Sequence, residues 1–281
     1  MQVPEQPVGP WRRAHDLRNP VIVTGIPRTG VRLLAAILDG HPALASGPDL
    51  PVVATLVQQW QEIHSSLGAH LERNHRVAPA DSRAAFREAV LKLFVPRLES
   101  TGKQRFVFHS FTVLPLLDRF ATLFPEARFI LAIRDPRAVV GSLLRCDWRD
   151  TRTGETLACT RDAVMAARFI VQHMATVLQE KAAALPADGR LMVLRYETLC
   201  ADPAGSMART AAFLDADIPH PFVSQASAEL VTRSRDNPHP PLRPGSVDTN
   251  SLEVRNLPDL GPMSEPIENL RRSLGYAQPC R

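Results

Sequence analysis

Residues 21–39 read Val21-Ile22-Val23-Thr24-Gly25-Ile26-Pro27-Arg28-Thr29-Gly30-Val31-Arg32-Leu33-Leu34-Ala35-Ala36-Ile37-Leu38-Asp39. A short β-branched apolar run comes first, and a run with Leu33, Leu34, Ile37 and Leu38 on one helical face comes last. Between them stand two glycines separated by four residues, the frame of a phosphate loop, Gly-x-x-x-x-Gly-Lys-Ser/Thr. A helix N-terminus offers unpaired N–H groups and a partial positive charge, and glycine lets the backbone come close to an anion. Arg28 and the Thr29 hydroxyl add donors, and Pro27 stiffens the loop. Val31 and Arg32, however, occupy the places of the lysine that reaches the outer phosphates and of the hydroxyl that binds magnesium. No lysine precedes Lys92. The loop therefore reads as a site for one phosphate, or for a phosphate bearing one more anionic group, and not as a magnesium triphosphate site.

Working outward, strands and helices alternate. Strands are expected at 20–24, 104–109, 128–133 and 190–195, and helices at 31–39, 51–75, 81–100, 113–124, 158–185, 203–214 and 265–274. A further helix opens at Asp135-Pro136, where Asp suits the N-cap and Pro the first helical position. Continuous apolar strands between helices argue a parallel sheet covered on both faces: an α/β fold, a single P-loop-like domain with a central parallel sheet flanked by helices. Residues 1–19 read as a loose arm before a domain at 20–281. The Pro-rich stretch 216–262 is long for a compact domain and reads as a lid or binding segment.

The chain has 281 residues, net charge +4 and sequence pI near 9.2. Its 44% hydrophobic and 22% charged residues suit a globular protein. No apolar run is long enough to span a membrane, and the start has no secretory h-region, so a cytoplasmic location is expected. The four cysteines, Cys146, Cys159, Cys200 and Cys280, have no CxxC spacing and read as reduced thiols without a zinc site. Basic residues are nearly all arginine, suited to forked phosphate or sulfate contacts, with no basic block interleaved with aromatics to engage nucleic acid.

A second anion-reading segment is "RFILAIRDPRAVVGSLLR". Arg134 ends a strand, where ligands bind in open α/β sheets, and Ser142 lies eight residues on, two turns into the next helix. Taken alone, Arg134 reads as a helix-end cap or a partner of Asp135.

Taken together, these segments resemble the sulfotransferase family that uses 3′-phosphoadenosine 5′-phosphosulfate, in its bacterial and tyrosylprotein-type branch. "PRTG" before a helix looks like the 5′-phosphosulfate loop, and "DGHPALASGPDL" like the segment after that helix. "LFPEARFILAIRDPRAVVGSL" is similar to the 3′-phosphate segment, and "VLRYETLCADPAGSMARTAAFL" to the segment carrying an adenine-side tyrosine. The C-terminal "SLGY" is similar as well, and the likeness runs from residue 20 to 276.

The resemblance implies transfer of a sulfuryl group from that nucleotide to a hydroxyl or amine of a small-molecule or glycolipid-like acceptor. The product nucleotide would be 3′-phosphoadenosine 5′-phosphate, and no metal is needed. It implies that Arg28 supports the bridging oxygen, and that Pro27, Thr29, Gly30 and the amides of Val31 and Arg32 surround the 5′-phosphate. Arg134 and Ser142 would take the 3′-phosphate, while Tyr196 lies near adenine or is a core tyrosine. Ser251 and Arg255 would close over the nucleotide. For the general base it offers Asp49 first, in "SGPDL", and His109 second, where the branch more often has lysine. The helical pair 51–100 and the loop after 216 are expected to form the acceptor pocket; Trp60, Trp148 and Phe111 are candidates to line it, though aromatics at such spacing are more often core. Arg32 either binds phosphate or points to solvent. Two other functions stay open: a small-molecule P-loop kinase, and a non-catalytic nucleotide-binding homologue suggested by Val31 and Arg32. The acceptor and the oligomeric state are not legible.

Overall fold

A computed structural model describes residues 19–150, 153–176, 189–215 and 257–276. Strands β1 (Val21–Thr24), β2 (Leu44–Ser46), β3 (Arg105–His109), β4 (Arg128–Ile133) and β5 (Leu191–Arg195) form one sheet in the order β2-β3-β1-β4-β5. Every pairing is parallel, with Val23 beside His109 on one side and Ile130 on the other. The helices are α1 (Val31–Asp39), α2 (Pro51–His75), α3 (Pro79–Lys92), α4 (Val95–Thr101), α5 (Leu117–Leu123), α6 (Pro136–Leu143), α7 (Ala163–Thr176), α8 (Tyr196–Ala201), α9 (Pro203–Leu214) and α10 (Ser264–Ser273). No helix among them is long and apolar enough to cross a membrane.

Alternation along β1 explains the layers. Val21 and Val23 point to one face, where they pack with Leu34, Leu38 and Met207. Ile22 points to the other, among Val53, Trp60, Phe94 and Phe120. Along β4, Ile130 and Ala132 join the first face, while Leu131 and Ile133 meet α6, α7 and α10 through Val139, Ile170 and Ile267. All four β1 residues are buried, which is why the run carries no polar alternation. Truncating Ile22, 1% exposed, to alanine would cost about 2–5 kcal/mol.

Several elements differ from the sequence expectation, each for a local reason. The expected 81–100 helix is two helices, because Pro96 starts a new first turn in α4. The expected 113–124 helix opens as a 3-10 stretch, Phe111–Leu116, around Pro115, and becomes α-helical only at Leu117. A 3-10 turn at Ala158–Thr160 precedes α7, and residues 177–188 lie outside the described residues. The expectation had four strands; β2 is only three residues long and gives no periodicity to read. Tyr196 is the first residue of α8 and not the end of a strand.

The order of crossovers positions the site. The chain leaves β1 toward β2 and β3 on one side, then crosses over β1 to β4 and β5 on the other. The β1–α1 loop thus sits at the reversal point on the carboxyl edge, where such sheets leave a crevice.

Candidate functional site

The β1–α1 loop is shaped by close packing around its two glycines. A Cβ on Gly25 would fall 2.4 Å from the Ala132 carbonyl oxygen and 2.6 Å from Thr29 Oγ1. Gly30 caps α1 at φ 94°, and a Cβ there would fall 2.7 Å from the Tyr196 ring. Thr29 is 2% exposed and donates its hydroxyl proton to the Ile26 carbonyl at 2.7 Å, so that hydroxyl shapes the loop from within. The first turn of α1 presents N–H groups that no helix carbonyl accepts, and no side chain caps it. Val31 is buried in the core beside Leu34 and Leu38. An apolar side chain at this place is thus a packing requirement of the helix.

Arg28 is the strained residue of the loop, at φ 76°, a region that costs a non-glycine residue about 1 kcal/mol or more. Two bonds hold it. Its carbonyl accepts from Arg134 Nη1 at 3.1 Å, and its Nε donates to Ser142 Oγ at 2.9 Å. The first loop and the β4–α6 segment are therefore joined directly, with Ser142 buried beneath the guanidinium.

Arg134, 5% exposed, also lays its guanidinium 4.3 Å from the centre of the Tyr196 ring. Tyr196 is thus packed between Gly30 and Arg134. Burial lowers Arg134's pKa; Tyr196 and Glu197 pull it back up, and Arg28 lowers it further. Asp135 caps α6 by accepting from the Arg137 N–H at 2.9 Å, and its carboxylate is gripped by Arg271 at 2.8, 2.9 and 3.1 Å. Arg137 itself pairs with Glu268 at 2.5 Å.

Across the loop lie the acid–base candidates. Asp49 accepts from Ser110 Oγ at 3.1 Å, and Ser110 in turn lies 2.8 Å from Thr112 Oγ1. Partial withdrawal from water raises the Asp49 pKa above the usual carboxylate range, against the lowering effects of Ser110, Arg32 and the Leu50 N–H. His109, 8% exposed, sits with Nδ1 3.3 Å from Ser46 Oγ. Burial, then the nearby Arg32, pushes its pKa down to about 4, so the ring is neutral at pH 7. Arg32 is exposed but lies within electrostatic reach of this group: partial burial and Arg28 lower its pKa, and Asp49 raises it.

Ser251 and Arg255 lie outside the described residues, as do 216–256 of the expected lid and residues 1–18 of the expected arm. Of the expected lining aromatics, Trp60 is 1% exposed within the core. Phe111, 38% exposed, faces Trp148 at 5.8 Å between ring centres, just after Ser110. The sequence reading missed Arg271, Glu197 and Ser110. Glu197 accepts from the Asp135 N–H at 2.8 Å and from Tyr276 Oη at 2.9 Å. Ser110 had a legible signal, a hydroxyl next to His109 at a strand end; Arg271 had none, being 136 residues from its partner. The arrangement fits a doubly anionic ligand: a glycine-lined loop at a helix N-terminus with Arg28 and Arg134 joined beside it, while Asp49 interacts with Arg32.

Comparison with known proteins agrees with this geometry. The model of the sulfotransferase family matches residues 20–220. Protein-tyrosine sulfotransferase 1 of Danio rerio is 26% identical over 253 residues, covering 85% of this chain and 66% of that protein. Protein-tyrosine sulfotransferase 2 of Gallus gallus is 28% identical over 203 residues, covering 69% of this chain and 50% of that protein. The chain thus spans less than two thirds of these relatives' length. Among solved structures, the sulfotransferase domain of the Synechococcus PCC 7002 olefin synthase superposes with a TM-score of 0.60 at 21% identity, covering 93% of this chain and 97% of that one. Sulfotransferase STF9 from Mycobacterium avium gives 0.57 at 18% identity, covering 97% of this chain and 81% of that one. Both share the fold.

Proposed function

The chain belongs to the sulfotransferase family, and we propose that it transfers a sulfuryl group from 3′-phosphoadenosine 5′-phosphosulfate to a hydroxyl of a small acceptor. The observation that carries this reading is the direct link between the two anion segments, Arg28 Nε to Ser142 Oγ and Arg134 Nη1 to the Arg28 carbonyl. A nucleotide with phosphates at both ends of its ribose needs two such segments held at a fixed relation.

When bound, the donor supplies the sulfuryl group and a phosphate leaving group. The chain supplies the rest. Amides at the start of α1 and the Arg28 guanidinium hold the 5′ side and stabilise charge that develops there. Arg134 and Ser142 hold the 3′-phosphate, and Tyr196 fixes the plane of Arg134 by stacking on it. Asp49 takes the acceptor's proton. Its raised pKa makes it a stronger base than an ordinary aspartate, and Ser110 orients it. His109 is the weaker choice for that task, since its ring is buried and burial weakens it as a base, its pKa lowered to about 4. Arg32, where the resemblance leads one to expect a hydroxyl, interacts electrostatically with both Arg28 and Asp49.

Thermal-shift titration with 3′-phosphoadenosine 5′-phosphate tests the donor, and mass detection of a sulfated product from a panel of hydroxylated acceptors tests the transfer. Absence of stabilisation at saturating nucleotide would overturn the reading; magnesium-dependent stabilisation by ATP alone would replace it with the kinase alternative.

A further inference from the structure

Strands β4 and β5 leave the sheet on the same rung, with Ile133 beside Arg195. The residues that follow meet directly. The Arg134 guanidinium lies 4.3 Å from the centre of the Tyr196 ring, and the Asp135 N–H donates to Glu197 Oε1 at 2.8 Å. Two neighbours on α8 thus hold two neighbours where β4 ends, the first by its side chain and the second by its backbone. The second contact also acts on Arg134. A peptide unit is planar, so fixing the Asp135 N–H fixes the plane that carries the Arg134 carbonyl, and with it the backbone from which the guanidinium projects.

Glu197 is itself held from α10. Its Oε2 accepts from Tyr276 Oη at 2.9 Å. Tyr276 stands just past α10, which closes as a Schellman turn: Gly275 N–H donates to the Arg272 carbonyl at 3.0 Å, and Tyr276 N–H to the Arg271 carbonyl at 2.9 Å. The Tyr276 ring packs against Arg195, whose guanidinium lies 4.6 Å from the ring centre and donates to the Leu274 carbonyl. Burial, then Glu197, raises the Tyr276 phenol above its ordinary pKa, so it stays a donor. The end of α10 therefore reaches Asp135 by two routes. Arg271 grips its carboxylate, and Tyr276 reaches its N–H through Glu197.

We propose that Glu197 and Tyr276 are positioning residues that set the preference for a nucleotide carrying a 3′-phosphate, acting through Arg134. The inference rests on the sulfotransferase reading for the ligand but not for the chain of bonds. Tyr276 orients the Glu197 carboxylate, Glu197 fixes the Asp135 peptide, and that peptide fixes where Arg134 stands. Tyr196, the residue before Glu197, holds the guanidinium from its other side. These bonds lead to the 3′ segment, so their loss should spare the 5′ side.

The test compares two nucleotides on the full chain by calorimetry, 3′-phosphoadenosine 5′-phosphate and adenosine 5′-phosphate. Tyr276→Phe keeps the ring against Arg195 and deletes only the hydroxyl. It should weaken the first nucleotide about five-fold, the worth of one hydrogen bond, and leave the second within about two-fold. Donor KM should rise by the same factor with kcat unchanged. Glu197→Ala should weaken the first nucleotide about thirty-fold, as suits the loss of a carboxylate acceptor. Adding Tyr276→Phe to it should cost nothing more, because the hydroxyl acts through the carboxylate. Glu197→Gln keeps an acceptor for the Asp135 N–H and should hold most of the affinity. Equal loss for both nucleotides, a fall in kcat at constant donor KM, or additive losses in the double variant would overturn the proposal. Should Glu197→Ala not fold, Tyr276→Phe and Glu197→Gln carry the same comparison. Exchange of the Asp135 amide, followed without nucleotide, should quicken in Tyr276→Phe; unchanged exchange would overturn the chain of bonds. A parent protein that binds both nucleotides equally, or neither, would overturn the sulfotransferase reading, while amide exchange still decides the chain of bonds.

Discussion

On one side of Arg28, nearly every group is tied to another part of the chain. Arg134 reaches the loop's carbonyl and the Tyr196 ring, Ser142 holds the Arg28 guanidinium, and Arg271 and Glu197 pin Asp135 from two separate helices. On the other side, Asp49 is exposed and reaches the frame through Ser110, while Phe111 and Trp148 meet at a half-open rim. The first half is built before anything binds, so its geometry selects one ligand. The second half has few internal constraints, and its partner must supply much of the order. A shared donor with varied acceptors would be served by such a division.

The comparison can be broken most sharply at the carboxylate. Asp49→Asn should lower kcat by about a thousand-fold with nucleotide binding unchanged. In the parent protein, activity falls as pH drops through the raised Asp49 pKa, because the base must be ionised; the acid limb therefore lies above that of an ordinary aspartate. Arg32→Gln removes a cation that lowers this pKa and should move the limb to higher pH. A pH–rate profile unchanged in Asp49→Asn would assign the base elsewhere.

Next in size is Arg28→Gly. It removes the guanidinium but suits the backbone at φ 76°, so kcat should drop about a hundred-fold while the melting temperature holds or rises. Loss of both would mean that Arg28 serves the fold more than the chemistry.

Arg271→Met probes the built half from behind. It strips Asp135 of its buried partner, costing about 3 kcal/mol of stability, and should raise the donor KM roughly ten-fold with a smaller change in kcat. A purely structural Arg271 would lower stability with the donor KM untouched.

The smallest effect on turnover is expected at His109. His109→Gln should leave kcat within about three-fold but alter the pH dependence of stability. The folded pKa near 4 lies below the ordinary 6.5, so the unfolded chain binds the extra proton in that window. The native protein therefore loses up to about 3 kcal/mol as pH falls from 6.5 through 4, and the glutamine variant should not. Denaturant melts across that range decide it.

How much of this was legible beforehand follows the same division. Strand and helix periodicity revealed β1, α1, β4 and α9 almost to the residue, because each buries a continuous stripe. Arg28 was readable from the loop frame and His109 from its place at a strand end; Arg134, Ser142, Asp49 and Tyr196 were reached through the family resemblance, and all of them fall near the carboxyl edge of the sheet. β2 was not readable, being too short to show a period, and neither was the break in the expected 113–124 helix, where Pro115 acts through the turn before it. The inward turn of Thr29 is a local bond to the Ile26 carbonyl that spacing alone does not announce, and the burial of Val31 depends on packing against residues far along the chain such as Val107 and Met207, which no window of sequence contains. Arg271 and Glu197 went unseen for the same reason.

That distance has a consequence in time. Asp135 and Arg271 are separated by 136 residues. At synthesis rates of about 5–20 residues per second, the acid waits on the order of 10 s for its cation. Until α10 arrives, the nascent chain holds a sheet with its phosphate loop made but its second anion segment unbraced, and its apolar residues Val139 and Ile170 lack the cover of Ile267. Bracing of the second anion segment is thus a late event in the life of the polypeptide, completed when α10 docks.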